Sequence, residues 1–263
     1  MKLAAVGSNC VDLYLSGNEE NAFPGGGPVN MAVYAVRLGN RASYTGVVGD
    51  DVYGAMMLRK IQEKRVDTSH LHILEGNTAV SKVRLDGGER VFLGYDEGVL
   101  SSFTLSEEDL DFITSQDIVV SDLWGHSEEW FPRFKEEGMI TAYDCATRPD
   151  DPAPAIAMPY TDYLFFSWDK SDPILEKKMR KYHEAGAGKV IAMLGEKGSL
   201  CFDGEEFHSF GIIPCPHLVD SMGAGDSYIA GFLSAISQGA SLEEAMEKGA
   251  ANATITLGYA GAW

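Results

Sequence analysis

The stretch Asp220-Ser-Met-Gly-Ala-Gly-Asp-Ser-Tyr-Ile-Ala-Gly-Phe-Leu233 sets three small residues between two aspartates and then runs straight into an apolar helix. An ordinary loop needs one turn residue, not Gly223-Ala224-Gly225. The pattern predicts a strand ending at Val219-Asp220, a helix over Tyr228–Leu233, and Gly223 to Asp226 at the helix N-terminus. Three consecutive amides there, unshielded by side chains, form a concavity that the helix dipole makes attractive to an anion. Asp226 at the same place can accept a proton from a bound hydroxyl. A bare first-turn acid would only favour the dipole, and that role does not require Gly-Ala-Gly ahead of it.

Outward from this stretch, strand-like apolar runs alternate with helical patterns. Leu3–Val6, Ser43–Val48, Ile118–Val120, Ile140–Asp144, Tyr163–Phe166 and Val190–Leu194 read as strands. Val29–Leu38, Tyr53–Lys64, Glu128–Glu137, Ile174–Ala185, Tyr228–Gln238, Leu242–Lys248 and Ala250–Leu257 read as helices. Such alternation predicts an α/β fold, a mostly parallel sheet sandwiched by helices, with ligands at the carboxyl ends of the strands. Two segments break it. Thr78–Tyr95 reads as a hairpin around Asp86-Gly87-Gly88-Glu89, and Val11–Leu15 alternates polar and apolar. These segments, about 11–16 and 78–95, are expected to form a small antiparallel β lid beside the sheet. No linker, repeat or low-complexity stretch divides the chain, so residues 1–263 are expected to make a single domain.

Lysine and arginine number 21 against 39 acidic residues, a net charge of −18. At long range this repels nucleic acid and anionic membrane, so neither is an expected partner. Phosphate binding stays open, because backbone amides can supply it locally. Cys10, Cys145, Cys201 and Cys215 are far apart, with neither CxxC nor metal-ligand spacing, and read as reduced thiols. The apolar start Met-Lys-Leu-Ala-Ala-Val-Gly is interrupted by Asp12 and reads as a first strand, and no run approaches the ~18 apolar residues of a membrane span. A soluble, cytoplasmic protein is expected.

A second glycine run, Phe23-Pro-Gly-Gly-Gly-Pro-Val-Asn-Met-Ala32, fits neither GxGxxG nor GxxxxGK[ST]. Gly25 to Gly27 let backbone amides approach a ligand, and Asn30 opens a helix where its amide can cap the helix or donate to a hydroxyl. A capped tight turn explains the same residues without a ligand.

Taken together, these motifs carry a resemblance. Asp220-Ser-Met-Gly-Ala-Gly-Asp226 resembles the C-terminal signature of the ribokinase/PfkB family of carbohydrate kinases, usually D-[TS]-x-G-A-G-D. Gly25-Gly-Gly-Pro-Val-Asn-Met-Ala32, followed by Leu38-Gly39 and Val48-Gly49-Asp50-Asp51, resembles its N-terminal sugar-binding signature. Leu194-Gly195-Glu-Lys-Gly198 looks like its nucleotide loop and Ala251-Asn252-Ala253 like its closing helix. Within the family the chain looks most like the fructoselysine 6-kinase branch, through Asn9-Cys-Val-Asp12, Trp124-Gly-His126 and Gly261-Ala-Trp263.

The resemblance implies an ATP-dependent, Mg²⁺-requiring kinase that phosphorylates a fructosamine such as fructoselysine at its 6-hydroxyl. It further implies that the amides of Gly223, Ala224 and Gly225 hold the transferring γ-phosphoryl charge and that Asp226 takes the proton of the attacking hydroxyl. Asp12, Gly25, Gly26 and Asn30 would grip the sugar, while Gly195 and Gly198 would lie along the nucleotide phosphates and Asn252 beside the adenine. A homodimer through the β lid is implied too, and Val80, Val83, Leu85, Val91 and Leu93 are more apolar material than a lone hairpin hides.

The chain departs from the family at two places. Where relatives carry Asn-x-x-Glu for magnesium and phosphates, it has Ser167-Trp-Asp-Lys170, so the metal ligands are unassigned, and Asp169 or Lys170 is left for related work on the phosphates and metal. Met222 stands where relatives have threonine beside a bound K⁺, which leaves K⁺ to backbone carbonyls. The lid charges Arg84, Glu89, Arg90, Asp96 and Glu97 either meet the amino-acid end of a fructosamine, Arg90 foremost, or form a solvated face. Trp124 and His126 follow a strand at the ligand edge and are open to core packing or substrate contact. His70, His72, His183 and His208 read as isolated surface residues without a carboxylate spaced for a metal. Glu107-Glu108-Asp109 reads as an acidic first turn capped by Ser106. A kinase of an unmodified sugar or nucleoside, and a non-catalytic sugar-binding regulator, are the competing functions. The intact Gly-Ala-Gly and Asp226 speak against the regulator, because sugar binding alone needs no anion site.

Overall fold

The computed structural model describes residues 1–16, 19–86, 89–168 and 173–263, and of 16, 19, 85, 86 and 89–92 it describes the backbone only. The chain begins with β1 (Lys2–Val6), β2 (Cys10–Ser16), β3 (Glu19–Gly25), α1 (Gly27–Arg37), β4 (Arg41–Gly49), α2 (Val52–Glu63) and β5 (Leu71–Leu74). It continues through β6 (Val80–Asp86), β7 (Glu89–Asp96), α3 (Glu107–Thr114), β8 (Ile118–Asp122), α4 (Phe131–Glu136), β9 (Ile140–Asp144) and α5 (Pro152–Ala157). Last come β10 (Tyr163–Ser167), α6 (Ile174–Glu184), β11 (Lys189–Met193), β12 (Ser199–Phe202), β13 (Phe207–Phe210), α7 (Ala224–Ile236) and α8 (Leu242–Thr256).

Nine strands form one sheet in the order β13-β12-β11-β10-β9-β8-β1-β4-β5. Pairing is parallel from β5 to β11 and antiparallel for β12 and β13. Continuous apolar runs such as Leu-Ala-Ala-Val in β1 are what a strand covered on both faces needs. Alternate residues go to opposite layers: Leu3 and Ala5 join Val29, Met57, Ile61, Ile229, Phe232 and Met246, under α1, α2, α7 and α8. Ala4 and Val6 join Leu110, Ile113, Phe131, Phe134 and Met179, under α3, α4 and α6. Each fully buried side chain of this size contributes about 1.5–3 kcal/mol of transfer free energy.

The chain leaves β1 for β4 on one side, and β8 later pairs on the other, so the strand order reverses between β1 and β8. A crevice opens at the carboxyl ends of strands at such a switch point. Over it stands the second sheet, β3-β2-β6-β7. It is two antiparallel hairpins joined by a parallel β2–β6 pair, with Asp12 beside Ser81 and Ser81 beside Tyr95. Its base is clamped to the large fold by Asp51, the N-cap of α2. Asp51 accepts from Gly54 N at 2.7 Å, Thr78 Oγ1 at 2.6 Å and Thr78 N at 3.0 Å.

Four expectations change here. Val219-Asp220 is not a strand: the segment lies across the end of α8, with Val219 N donating to Leu257 O at 2.8 Å. α7 starts at Ala224 rather than Tyr228, and the two closing helical stretches are the single helix α8, capped by Ser241 with Glu244. The apolar residues of the small sheet divide between its faces. Val83 is 1% exposed and faces inward, whereas Leu93 is 45% exposed. The side chains of Leu85 and Val91, and the turn residues Gly87 and Gly88, lie outside the described residues.

Candidate active site

The glycine turn between β3 and α1 is shaped by what presses on it. A Cβ on Gly25 would overlap Asp12 Oδ2, one on Gly26 (φ 106°) would overlap the Asn9 backbone, and one on Gly27 would stand 2.8 Å from Asp122 Oδ2. The turn therefore lies directly on two carboxylates, one from β2 and one from β8. Pro28, second residue of α1, favours the helix start that puts Asn30 on its first turn, 3% exposed.

Opposite it, α7 begins on Gly223 (φ 72°, ψ 2°), where a Cβ would overlap the Tyr34 hydroxyl. The side chains of Asp51, Ser106 and Ser241 cap α2, α3 and α8, but α7 has no capping side chain, and of its Gly-Ala-Gly entry Ala224 N donates to Ser221 O at 3.3 Å. Asp226 follows in the first turn and accepts from Asn30 Nδ2 at 2.6 Å. Asn30 Oδ1 in turn accepts from the indole Nε1 of Trp263 at 2.7 Å.

Acidity converges on this point. Burial, with the charge of Asp12, pushes the Asp226 carboxyl up to about 6, against the opposing hydrogen bond from Asn30. Asp122, 2% exposed, is pushed up to about 7 by burial and by the charges of Asp226 and Glu128. Two donors oppose that shift, Ser8 Oγ at 2.6 Å and Trp124 N at 3.3 Å. Asp144, the register partner of Asp122, is held well above the ordinary carboxylate range by burial and by the charges of Asp226 and Asp122. Asp12, 7% exposed, faces them from the small sheet, and Tyr95 lies in the field of Cys10 and Asp122. A neutral or cationic ligand that brings hydroxyls suits such a crevice far better than an anion does. The anion's place is at the amides of α7.

The structure thus brings together Asp12, Gly25, Gly26, Asn30 and Asp226, with Gly223, Ala224 and Gly225 adjoining. Gly195 and Gly198 fall on an exposed turn after β11, where Gly198 N donates to Gly195 O at 3.0 Å. Asn252 is 2% exposed inside the α7–α8 packing, donating to Ser227 O at 2.7 Å and accepting from Arg37 Nη2 at 2.7 Å. Its side chain joins the two helices and Arg37. The side chain of Arg90, and Asp169 and Lys170, lie outside the described residues.

Asp122 and Asp144 are the site residues that sequence reasoning missed. The available signal was position, since each is the acid that closes a buried parallel strand. The histidines are not isolated either. His70 and His72 share Asp109 Oδ1 at 2.7 and 2.9 Å, and His208 lies between Glu243 at 2.7 Å and Asp203 at 3.1 Å. Among the described residues, ligand atoms group within 4.8 Å for Asp203, Glu206 and His208, on the hairpin at the β13 edge. No three of the crevice carboxylates come that close. Trp124 is 38% exposed at the rim, and His126 Nε2 lies 2.6 Å from Glu97 Oε1, bridging the end of the small sheet. No helix among the described residues is long and apolar enough to cross a membrane.

Comparison with known proteins gives the same picture along the full length. The chain is 42% identical over 261 residues to a fructoselysine 6-kinase of Shigella flexneri, covering 99% of each chain, and 32% identical over 269 residues to a fructosamine kinase of Bacillus subtilis, covering 100% of this chain and 93% of the relative. Its fold matches that of Arabidopsis thaliana ribokinase complexed with ribose and ATP, with a TM-score of 0.90 at 23% identity, covering 99% of this chain and 93% of that one. The model of the pfkB family of carbohydrate kinases matches residues 3–263. With glycine turn, buried aspartate and uncapped helix entry all falling inside that match, the chain belongs to the pfkB carbohydrate kinase family.

Proposed function

We propose that the protein is an ATP-dependent fructosamine 6-kinase, a single domain over residues 1–263 whose small sheet, segments 11–16 and 78–95, is a lid. The observation that carries the reading is Asp226, half-buried and held by Asn30 at 2.6 Å on the first turn of α7, which has no side-chain cap. Full-length similarity to fructoselysine and fructosamine kinases supplies the substrate class.

In this reading Asp12, Gly25, Gly26 and Asn30 hold the sugar. Its 6-hydroxyl oxygen attacks the γ-phosphorus, the bond to the β–γ bridging oxygen breaks, and ADP leaves with that electron pair. The hydroxyl proton passes to Asp226. The amides of Gly223, Ala224 and Gly225 meet the charge on the transferring phosphoryl group. Gly195 and Gly198 border the nucleotide, and Mg²⁺ neutralises its phosphates when bound. K⁺ would rest on carbonyls around Met222. Lid closure excludes water, which would otherwise compete as acceptor. Cytoplasmic placement suits both ATP and an intracellular sugar conjugate.

Arg90 and its charged neighbours on β7 would meet the carboxylate and ammonium of the amino-acid moiety. Fructoselysine then shows kcat/KM at least ~10-fold above free fructose, about 1.4 kcal/mol of transition-state binding. Arg90→Ala narrows that gap. ADP release across a panel of free and conjugated sugars checks this, and equal efficiencies would defeat the fructosamine assignment while leaving the kinase.

A homodimer through the outer face of the small sheet completes the reading. Leu93 is exposed there, and Leu13, Leu15 and Val80 line a shallow cavity of about 360 Å³ on the sheet. Light scattering at micromolar concentration should give twice the chain mass; a monomer would count against this surface.

A further inference from the structure

We propose that Trp263 is a positioning residue for phosphoryl transfer, fixing the amide orientation of Asn30 so that its N–H, and not its carbonyl, faces Asp226. The inference rests on Asp226 acting as the base.

Asn30 stands between two groups of opposite and fixed character. The indole Nε1–H of Trp263, at 2.7 Å from Asn30 Oδ1, can only donate. The ionised carboxylate of Asp226, at 2.6 Å from Asn30 Nδ2, can only accept. An asparagine amide has nearly the same shape in its two flipped orientations, so packing alone does not choose between them. Here a flip would set N–H against N–H on one side and carbonyl against carboxylate on the other. Trp263 therefore forbids the orientation that becomes tolerable once Asp226 takes up a proton.

The residues carrying Trp263 are tied to the same loop that presents the amides of α7. Gly261 N donates to Asp220 Oδ2 at 3.0 Å, and Asp220 Oδ1 accepts from Met222 N at 3.0 Å. The hydroxyls of Tyr34 and Tyr259 both donate to Ala262 O, the latter at 3.0 Å. The indole is half-buried, with Lys64 Nζ 5.7 Å from its ring centre, and borders a cavity of about 500 Å³ shared with Tyr34, Arg37 and Tyr259. It packs against the edge of the hydrophobic core, so its bulk and its hydrogen bond are separate contributions, and a substitution that keeps an aromatic ring removes the second.

A donor to a carboxylate favours the charged form, and the Asn30 hydrogen bond opposes the upward push on Asp226. Loss of the indole N–H loosens that donor, so Asp226 becomes a carboxylate only at higher pH. Other titratable groups share this field: Asp12 and Cys10 on β2, Tyr34 on α1, Asp122 on β8 and Asp144 on β9. All remain in place in a Trp263 variant.

Two measurements test the proposal, after ADP release by the unaltered enzyme has established the kinase reading by itself. In Trp263→Phe the acid limb of kcat/KM moves up by about half to one pH unit, so activity falls about 2–5-fold at pH 6 and much less at pH 8. Combined with Asn30→Ala, the losses are not additive, as expected of residues acting in series. Uniform loss at every pH, or additivity, would mean a structural role only and overturn the proposal. The second measurement needs no turnover. The indole ¹⁵N–H resonance of Trp263 in the unaltered protein titrates with a midpoint near 6 and is flat in Asp226→Asn. A resonance that does not move between pH 5 and 8 in the unaltered protein would also overturn it.

Discussion

Asp226→Asn lowers kcat by ~10²–10⁴ and leaves the KM for the sugar nearly unmoved, because it removes the proton acceptor without altering the shape of the crevice. Asn30 Nδ2, which donates to Asp226 Oδ2 at 2.6 Å, still finds a carbonyl oxygen there. The pH profile gives an independent reading. Burial and the charge of Asp12 raise the Asp226 carboxyl to about 6, so above pH 6 it is mostly ionised and able to accept a proton. As pH falls through 6 it is protonated and turnover declines. In the variant the residual rate has no such limb. Steady-state kinetics with coupled ADP detection decide it, and near-normal turnover would remove Asp226 from the reaction.

Asp122→Asn makes the protein more stable, by about 3–4 kcal/mol at neutral pH and progressively less below it. The sign follows from linkage. Asp122 has an ordinary carboxylate pKa in the unfolded chain and about 7 when folded, through burial and the charges of Asp226 and Glu128. Between about pH 4 and 7 the folded state binds the extra proton, so this group's penalty on folding grows as pH rises through that window and is complete above 7. Asparagine has no charge to desolvate. It keeps both neighbours, accepting from Trp124 N and donating to Ser8 Oγ, which now hold Asp122 at 3.3 and 2.6 Å. For a chain of this size the gain amounts to a Tm higher by about 5–10 °C at pH 8, shrinking toward pH 4. Calorimetry across that range checks it. A Tm that falls at pH 8 would mean that the carboxylate has a partner that supports its charge. The predicted direction is also a statement about function, since a carboxylate retained at a cost to folding is retained for what it binds.

The alternation of apolar runs made the parallel sheet legible, because strands buried on both faces have little choice of composition. Legibility fails where pairing, rather than composition, makes the strand. β3 reads Glu-Glu-Asn-Ala-Phe-Pro-Gly and carries no periodic signal; it is a strand because β2 lies beside it from Cys10 to Ser16. β12 and β13 are short and antiparallel at an edge, and Val219-Asp220 is apolar enough to mislead although it pairs with no strand. At the site, the glycine turns could be read because only glycine tolerates a carboxylate or a backbone so close. Asp122 and Asp144 could not, since an acid at a strand end also suits plain solvent exposure. The part Asn252 plays in holding α7 to α8 and to Arg37 was equally hidden, because it depends on contacts far apart in sequence.

The single parallel β2–β6 pair has a bearing on how the chain folds. β2 and β3 are local in sequence and can meet early, but Val11 must also find Val80 across α1, β4, α2 and β5. That contact closes a long loop and is entropically late. Until β4 and α2 are in place to present Asp51 to Thr78, the β2–β3 hairpin has an open edge on the β2 side. During synthesis it therefore waits, marginal by itself and prone to pair with the same edge of another nascent chain.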